Sequence, residues 1–283
     1  MIDPAAIFAH DFGQPVQRYA ARDAILYALG LGLGADPLDA GDLRFLDERD
    51  LAVLPTLAVT LCSPGTWIRE PQLGVDFTRL VHSAQKAEFL APLPPSGEMR
   101  GTARALSLTD RGEGRGAVLV LERTISDTTT GACYCRLEQT LLLRGDGGFG
   151  GPAPEPGAAV KPLGESDVVA EFPTCSRTAL IYRLSGDWNP LHLDPAIAAR
   201  AGFERPILQG LASYGIAGVA VSRALGLDPV GLSELACRFS GVVLPGDTIA
   251  FRIWRDGVKA ARFEAFVGER KVLDAGTIAW RRA

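Results

Sequence analysis

The chain repeats itself in outline, and this duplication restricts its fold more than any other feature. Ile25-Leu26-Tyr27-Ala28-Leu29 resembles Leu180-Ile181-Tyr182-Arg183-Leu184. Within a dozen residues come Asp36-Pro37-Leu38 in one half and Asn189-Pro190-Leu191 in the other. Phe89-Leu90-Ala91-Pro92-Leu93-Pro94 then resembles Phe239-Ser240-Gly241-Val242-Val243-Leu244-Pro245. A Pro/Gly segment, Gly151-Pro152-Ala153-Pro154-Glu155-Pro156-Gly157, stands between the halves. The period is far too long for a solenoid, whose repeats run to roughly 20–50 residues. Two copies of one domain packed side by side explain it: 1–150, a linker over 151–162, and 163–283.

Each half reads as helical first and strand-rich later. Leu211 to Leu225 is apolar nearly all round, with no charge before Arg223, which predicts a buried helix. Thr248–Trp254, Arg262–Val267 and Val272–Trp280 read as strands, and so do Gly101–Leu108, Gly116–Thr124 and Cys133–Arg144 in the first half. Asp256-Gly257 and Gly112-Glu113-Gly114 supply tight turns between them. The fold class is α+β; periodicity carries it no further.

At 283 residues with 47% hydrophobic and 22% charged side chains, both copies can bury a core. The net charge of −4 argues against nucleic acid or an anionic membrane as the main partner. No apolar run reaches the eighteen or so residues of a membrane span. Met1-Ile2-Asp3-Pro4 lacks the charged lead and apolar core of a signal peptide, and Trp280-Arg281-Arg282-Ala283 carries no Ser-Lys-Leu address. Five cysteines with no CxxC pair, and three histidines without ligand spacing, point to packed, reduced thiols and no metal site. A cytoplasmic location is expected.

Tyr182-Arg183-Leu184-Ser185-Gly186-Asp187-Trp188-Asn189-Pro190-Leu191-His192 places a carboxylate, a carboxamide and an imidazole around one forced turn. Pro190 pushes Asn189 out of the helical region. A turn there can aim Asp187 and His192 at one small volume, where an acid and an imidazole can hold and polarise water. The same residues also suit a loop whose polar groups merely cap one another.

These residues resemble the signature of the hydratase-2 family, the MaoC-like (R)-specific enoyl-CoA hydratases. The resemblance continues through Ala201-Gly202-Phe203-Glu204-Arg205-Pro206-Ile207-Leu208-Gln209-Gly210 and back through Pro92-Leu93-Pro94 to Ala24–Gly30, covering nearly the whole chain. It implies a double hot-dog fold: two tandem repeats, each an antiparallel sheet wrapped around a central helix. It implies hydration of a trans-2-enoyl-CoA to a (3R)-3-hydroxyacyl-CoA, with no cofactor beyond the coenzyme A of the substrate, and a homodimer as the assembly. Asp187 and His192 would hold the water and move its proton, Asn189 would orient it, and the Gly210 N–H would receive the thioester oxygen. Glu48, His82, Ser83, Arg111 and Phe239 resemble substrate-binding positions. Where the family has a His-Gly pair, Ser83 here follows His82. A surface carboxylate, a structural histidine, a turn arginine and a core phenylalanine are the plain alternatives for Glu48, His82, Arg111 and Phe239.

The first half carries Gly30–Gly34 and Asp36-Pro37-Leu38 where the second has its polar cluster. It therefore should have no chemistry of its own, and the family resemblance implies that such a half leaves room for a bulky acyl chain. Gly145-x-Gly147-x-x-Gly150 matches a dinucleotide-binding pattern, but prolines follow it where a helix is required, so a flexible turn is expected. Leu211-Ala212-Ser213-Tyr214-Gly215 lacks the first glycine of a nucleophile elbow, which makes Ser213 a packing residue. Three rival readings remain: a hot-dog thioesterase, separable by thiol release; a non-catalytic acyl-CoA-binding subunit, which would bind without turnover; and a specialised MaoC-like dehydratase acting on a branched, dicarboxylic or steroid-derived CoA ester.

Overall fold

A computed structural model describes residues 2–154 and 164–281. Residues 155–162 of the expected linker lie outside the described residues, as do Arg282 and Ala283. The elements in chain order are α1 (Pro4–Phe8), β1 (Val16–Tyr19), α2 (Ala21–Leu31), α3 (Ala40–Leu43), β2 (Leu80–Phe89), β3 (Gly97–Asp110), β4 (Ala117–Asp127) and β5 (Cys133–Leu143). The second half has β6 (Val168–Pro173), α4 (Thr178–Tyr182), α5 (Pro195–Arg200), α6 (Gly210–Ala224), β7 (Leu232–Phe239), β8 (Thr248–Arg255), β9 (Ala260–Val267) and β10 (Arg270–Trp280).

All ten strands form one antiparallel sheet in the order β1-β3-β4-β5-β2-β7-β10-β9-β8-β6. Read from either end, the order is the same once each strand is matched with its repeat. The halves join through β2 and β7, where Gln85 pairs with Cys237 and Lys86 with Ala236. The offset that carries Phe89 onto Phe239 also carries Lys86 onto Ala236, so a pseudo-twofold axis passes through that pair. Tyr27 and Tyr182, equivalent in the repeat, meet close to the same axis with ring centroids 5.8 Å apart. This is the expected double hot-dog.

Strand alternation builds the core. Along β4, Ala117, Leu119, Leu121 and Ile125 are buried, each two or four residues from the next. Helix α6 is buried continuously from Ala212 to Ser222, as its lack of a polar face requires. Ser213 lies within it, 3% exposed, as a packing residue. Helix α2 crosses α4 at Gly30, where a Cβ would stand 2.9 Å from the Tyr182 Cα. Only glycine permits that approach, and it fixes where Tyr182 sits.

The first half departs from expectation in one element. In place of a long central helix it has a 3-10 helix, Pro55–Thr60. Thr56, Val59 and Thr60 are β-branched, Cys62 has φ +50°, and Pro64-Gly65 end any helical run. The short turn leaves open space above the first half's sheet.

The Gly145–Gly150 segment is also better fixed than expected. Gly148 and Gly150 N–H groups donate to the Asp110 carboxylate, each at 2.8 Å. Bonds from Gly148 and then Gly112 hold the Asp110 carboxyl below the usual range. The glycines close around a carboxylate of the protein itself, and residues 151–154 that follow are not helical.

Candidate active site

The polar cluster is built by a chain of local devices. Helix α4 runs into a 3-10 turn, Arg183–Ser185, that ends at Gly186 with φ +113°. That conformation suits glycine, and it turns Asp187 away from the helix. Asp187 Oδ1 accepts from Asn189 N–H at 3.2 Å, and Asn189 Oδ1 accepts from Leu191 N–H at 3.1 Å. Asn189 thus caps the 3-10 turn Pro190–His192. With its oxygen engaged there, the expected water-orienting role rests on its –NH2 alone.

His192 is 7% exposed. Its Nδ1 lies 2.9 Å from the Ile207 carbonyl oxygen, so Nδ1 carries the proton and donates. In the neutral ring Nε2 then keeps its lone pair, and it lies 3.7 Å from Asp187 Oδ2. That separation is too long for a direct hydrogen bond and leaves both atoms able to share a water. The carbonyl that sets the tautomer belongs to the loop opening α6. There Gly210 N–H, in the first turn of the helix, has no protein acceptor among the described residues. It is a donor at the positive end of the helix dipole.

Asp187 faces a cavity of about 210 Å³ between the two halves. Tyr182, Ser185, Gly186 and Leu211 complete the second half's wall. The first half supplies Val59 and Thr60 from the short turn that replaces its helix, Ser63 just after that turn, and Gln85, Arg123 and Gln139 from its sheet. The first half therefore forms the floor opposite Asp187.

Phe239 and His82 stand beside Gly210. A Cβ on Gly210 would reach the Phe239 ring at 3.3 Å, and His82 meets that ring edge-on with centroids 5.0 Å apart. Ser83 occupies a bulge between β2 and β5, where its Oγ donates to Thr140 O at 3.1 Å. His82 Nε2 donates to Ala84 O at 3.0 Å and its Nδ1 accepts from Gln139 at 3.4 Å, an arrangement for neutral imidazole. Burial pushes its pKa from 6.5 down to about 4. In the unfolded chain the ring takes a proton near 6.5, whereas in the native protein it does so only near 4. Its contribution is therefore fully present above about pH 6.5 and is lost as pH falls towards about 4. His82→Gln is expected to flatten this acid loss. Guanidinium midpoints at about pH 7 and about pH 5 would check it, and an equal fall in both proteins would reject the assignment.

Glu48 and Arg111 are not brought to the cavity. Glu48 is exposed on a 3-10 turn, Glu48–Asp50, and Arg111 is exposed at the β3–β4 turn in a separate surface hollow with Gly112 and Arg115. Conversely, Arg123, Gln85 and Gln139 line the cavity without having been singled out from the sequence. Counting by twos from Ala117 along the predicted strand would have placed Arg123 on its inward face.

Two family models match the chain. A MaoC like domain matches residues 160–276, and the MFE-2 hydratase 2 N-terminal domain matches residues 17–145. The chain belongs to the MaoC-like hydratase-2 family. Among its relatives is the enoyl-CoA hydratase ChsH3 of Mycobacterium tuberculosis, 37% identical over 84% of both chains. Another is the 3-hydroxyacyl-thioester dehydratase Y of the same organism, 38% identical over 98% of both. A solved MaoC-like dehydratase from Phytophthora capsici superposes over the full length of both chains with a TM-score of 0.84 at 30% identity. No helix among the described residues is long and apolar enough to cross a membrane.

Proposed function

We propose that the protein is an (R)-specific 2-enoyl-CoA hydratase, acting as a homodimer in the cytoplasm. It adds water to trans-2-enoyl-CoA to give (3R)-3-hydroxyacyl-CoA, or runs the reverse dehydration. The observation that carries this is the His192 Nε2 lone pair held 3.7 Å from the Asp187 carboxylate at the cavity wall. A water between them gives its oxygen to C3 while the pair takes its proton. A proton returns from the pair to C2, so the elements of one water are added. Negative charge gathers on the thioester oxygen as C3 is attacked, and the Gly210 N–H is the donor placed to receive it. The names of the relatives support the same reaction class.

Crotonyl-CoA incubated with the protein alone should give the 3R-hydroxy product, unaffected by chelator. The 3S isomer, or activity abolished by chelator, would sink the reading. Release of free thiol in place of hydration would favour the thioesterase alternative, and tight binding without turnover would favour the non-catalytic one. Light scattering giving a monomer mass would remove the dimer.

A further inference from the structure

The cavity floor is badly suited to a plain alkyl chain. The inward row of β4 is Ala117, Leu119, Leu121, Arg123 and Ile125, so one guanidinium interrupts an apolar stripe. Arg123 pairs across the sheet with Ala103 in β3 and Leu137 in β5, and both line the cavity with it. No carboxylate of the described residues forms an ion pair with Arg123. Its neighbour Glu122 also lines the cavity, but its carboxylate is paired with Arg104 and Arg136. One Arg123 nitrogen donates to Val59 O at 2.7 Å. A guanidinium has five N–H donors in a fixed fork, so that single bond leaves others for the cavity. Burial lowers its pKa to about 10, which still leaves it charged at neutral pH.

More hydrogen-bonding groups surround it. Gln85 and Gln139 are cross-strand partners on the floor. Tyr182 Oη and Ser185 Oγ, on the facing wall, are buried with no hydrogen-bond partner among the described residues. A hydrocarbon tail would strip water from all of these and offer nothing back, a costly arrangement for a charge above all. A carboxylate would satisfy the fork in the bidentate geometry that arginine favours.

Resting on the hydratase reading, we infer that the cavity receives an acyl chain that itself bears a carboxylate, and that Arg123 is the specificity-determining residue that binds it. The substrate class is then a 2-enoyl-CoA with a second acid group a few carbons beyond C3. Asp187 and Arg123 line one small cavity, so the double bond and the distal acid are read together.

The test compares trans-2-enedioyl-CoA esters of six and eight carbons with the unsubstituted enoyl-CoA of equal length, and with the neutral ω-hydroxy analogue. Wild-type kcat/KM should favour the diacid by about tenfold or more over both. Arg123→Met should lower kcat/KM on the diacid by about 10²-fold and by a much smaller factor on the unsubstituted ester, and Arg123→Lys should keep part of the preference. Wild type hydrating the unsubstituted ester as well as the diacid would overturn the proposal, as would equal loss on both in a folded Arg123→Met. If that variant does not fold, the wild-type ratio decides alone. A protein that hydrates none of these esters overturns the hydratase reading instead. Calorimetric binding of adipoyl-CoA against hexanoyl-CoA then tests Arg123 independently, with equal affinity counting against it.

Discussion

Asp187→Asn and His192→Gln are each expected to lower kcat by about 10²-fold or more while KM changes little. Both changes nearly preserve shape. Asparagine keeps an oxygen for the Asn189 N–H, and glutamine keeps an amide that can donate towards the Ile207 carbonyl. Each removes something only the reaction needs: the carboxylate charge in one case, the Nε2 lone pair in the other. If the two groups hold one water, their effects are not additive. The double variant should lose about as much as the worse single variant, because a water held at one end alone is already lost. Thermal melts would establish that the variants are folded, and steady-state kinetics on crotonyl-CoA would read the loss. Near-normal turnover in either folded single variant would remove that residue from the mechanism.

Gly210→Pro is expected to cost about 10²- to 10³-fold in kcat, the usual effect of deleting one oxyanion donor. Proline is tolerated in the first turn of a helix because the N–H it lacks has no intrahelical partner there. The preceding residue, Gln209, already has φ −61° and ψ 136°, a conformation that proline permits before it. The substitution therefore removes the donor and spares the helix. It also adds bulk against Phe239, where a Cβ comes to 3.3 Å. Gly210→Ala isolates that effect, since alanine adds the Cβ and keeps the N–H. A small loss in the alanine variant beside a large one in the proline variant identifies the hydrogen bond as the cause. A folded proline variant with wild-type turnover would exclude Gly210 as the oxyanion donor.

Local features of this protein were readable from its sequence, and features made by distant pairing were not. Six strands and the buried helix declared themselves because alternation and all-round apolarity are carried by neighbouring residues. The predicted helix Leu211–Leu225 lies one residue from the observed Gly210–Ala224. The joining strands β2 and β7 were missed, since what defines them is a partner about 150 residues away. The lost helix of the first half was also missed, although Pro55, Pro64 and the β-branched residues between them were in view. Asp187 and His192 were legible as a pair, but the tautomer depends on Ile207, fifteen residues on. The cavity floor needed three strands in register before Gln85, Arg123 and Gln139 came together. Glu48 and Arg111 were named by resemblance alone, and both stand on the surface away from the cavity.

Joining the halves through β2 and β7 also decides which backbone remains open to other molecules. Ten strands leave two sheet margins, and the strands there, β1 and β6, have four and six residues, the shortest in the sheet. Short margins offer few free N–H and C=O groups on which a foreign strand could grow. Cutting the chain between its halves would uncover β2 and β7, with ten and eight residues, as fresh margins. The second half holds the whole polar cluster, yet alone it would present a long adhesive edge as well as lose the cavity floor. Keeping the first half joined is thus a matter of covering a sheet edge as much as of flooring the cavity.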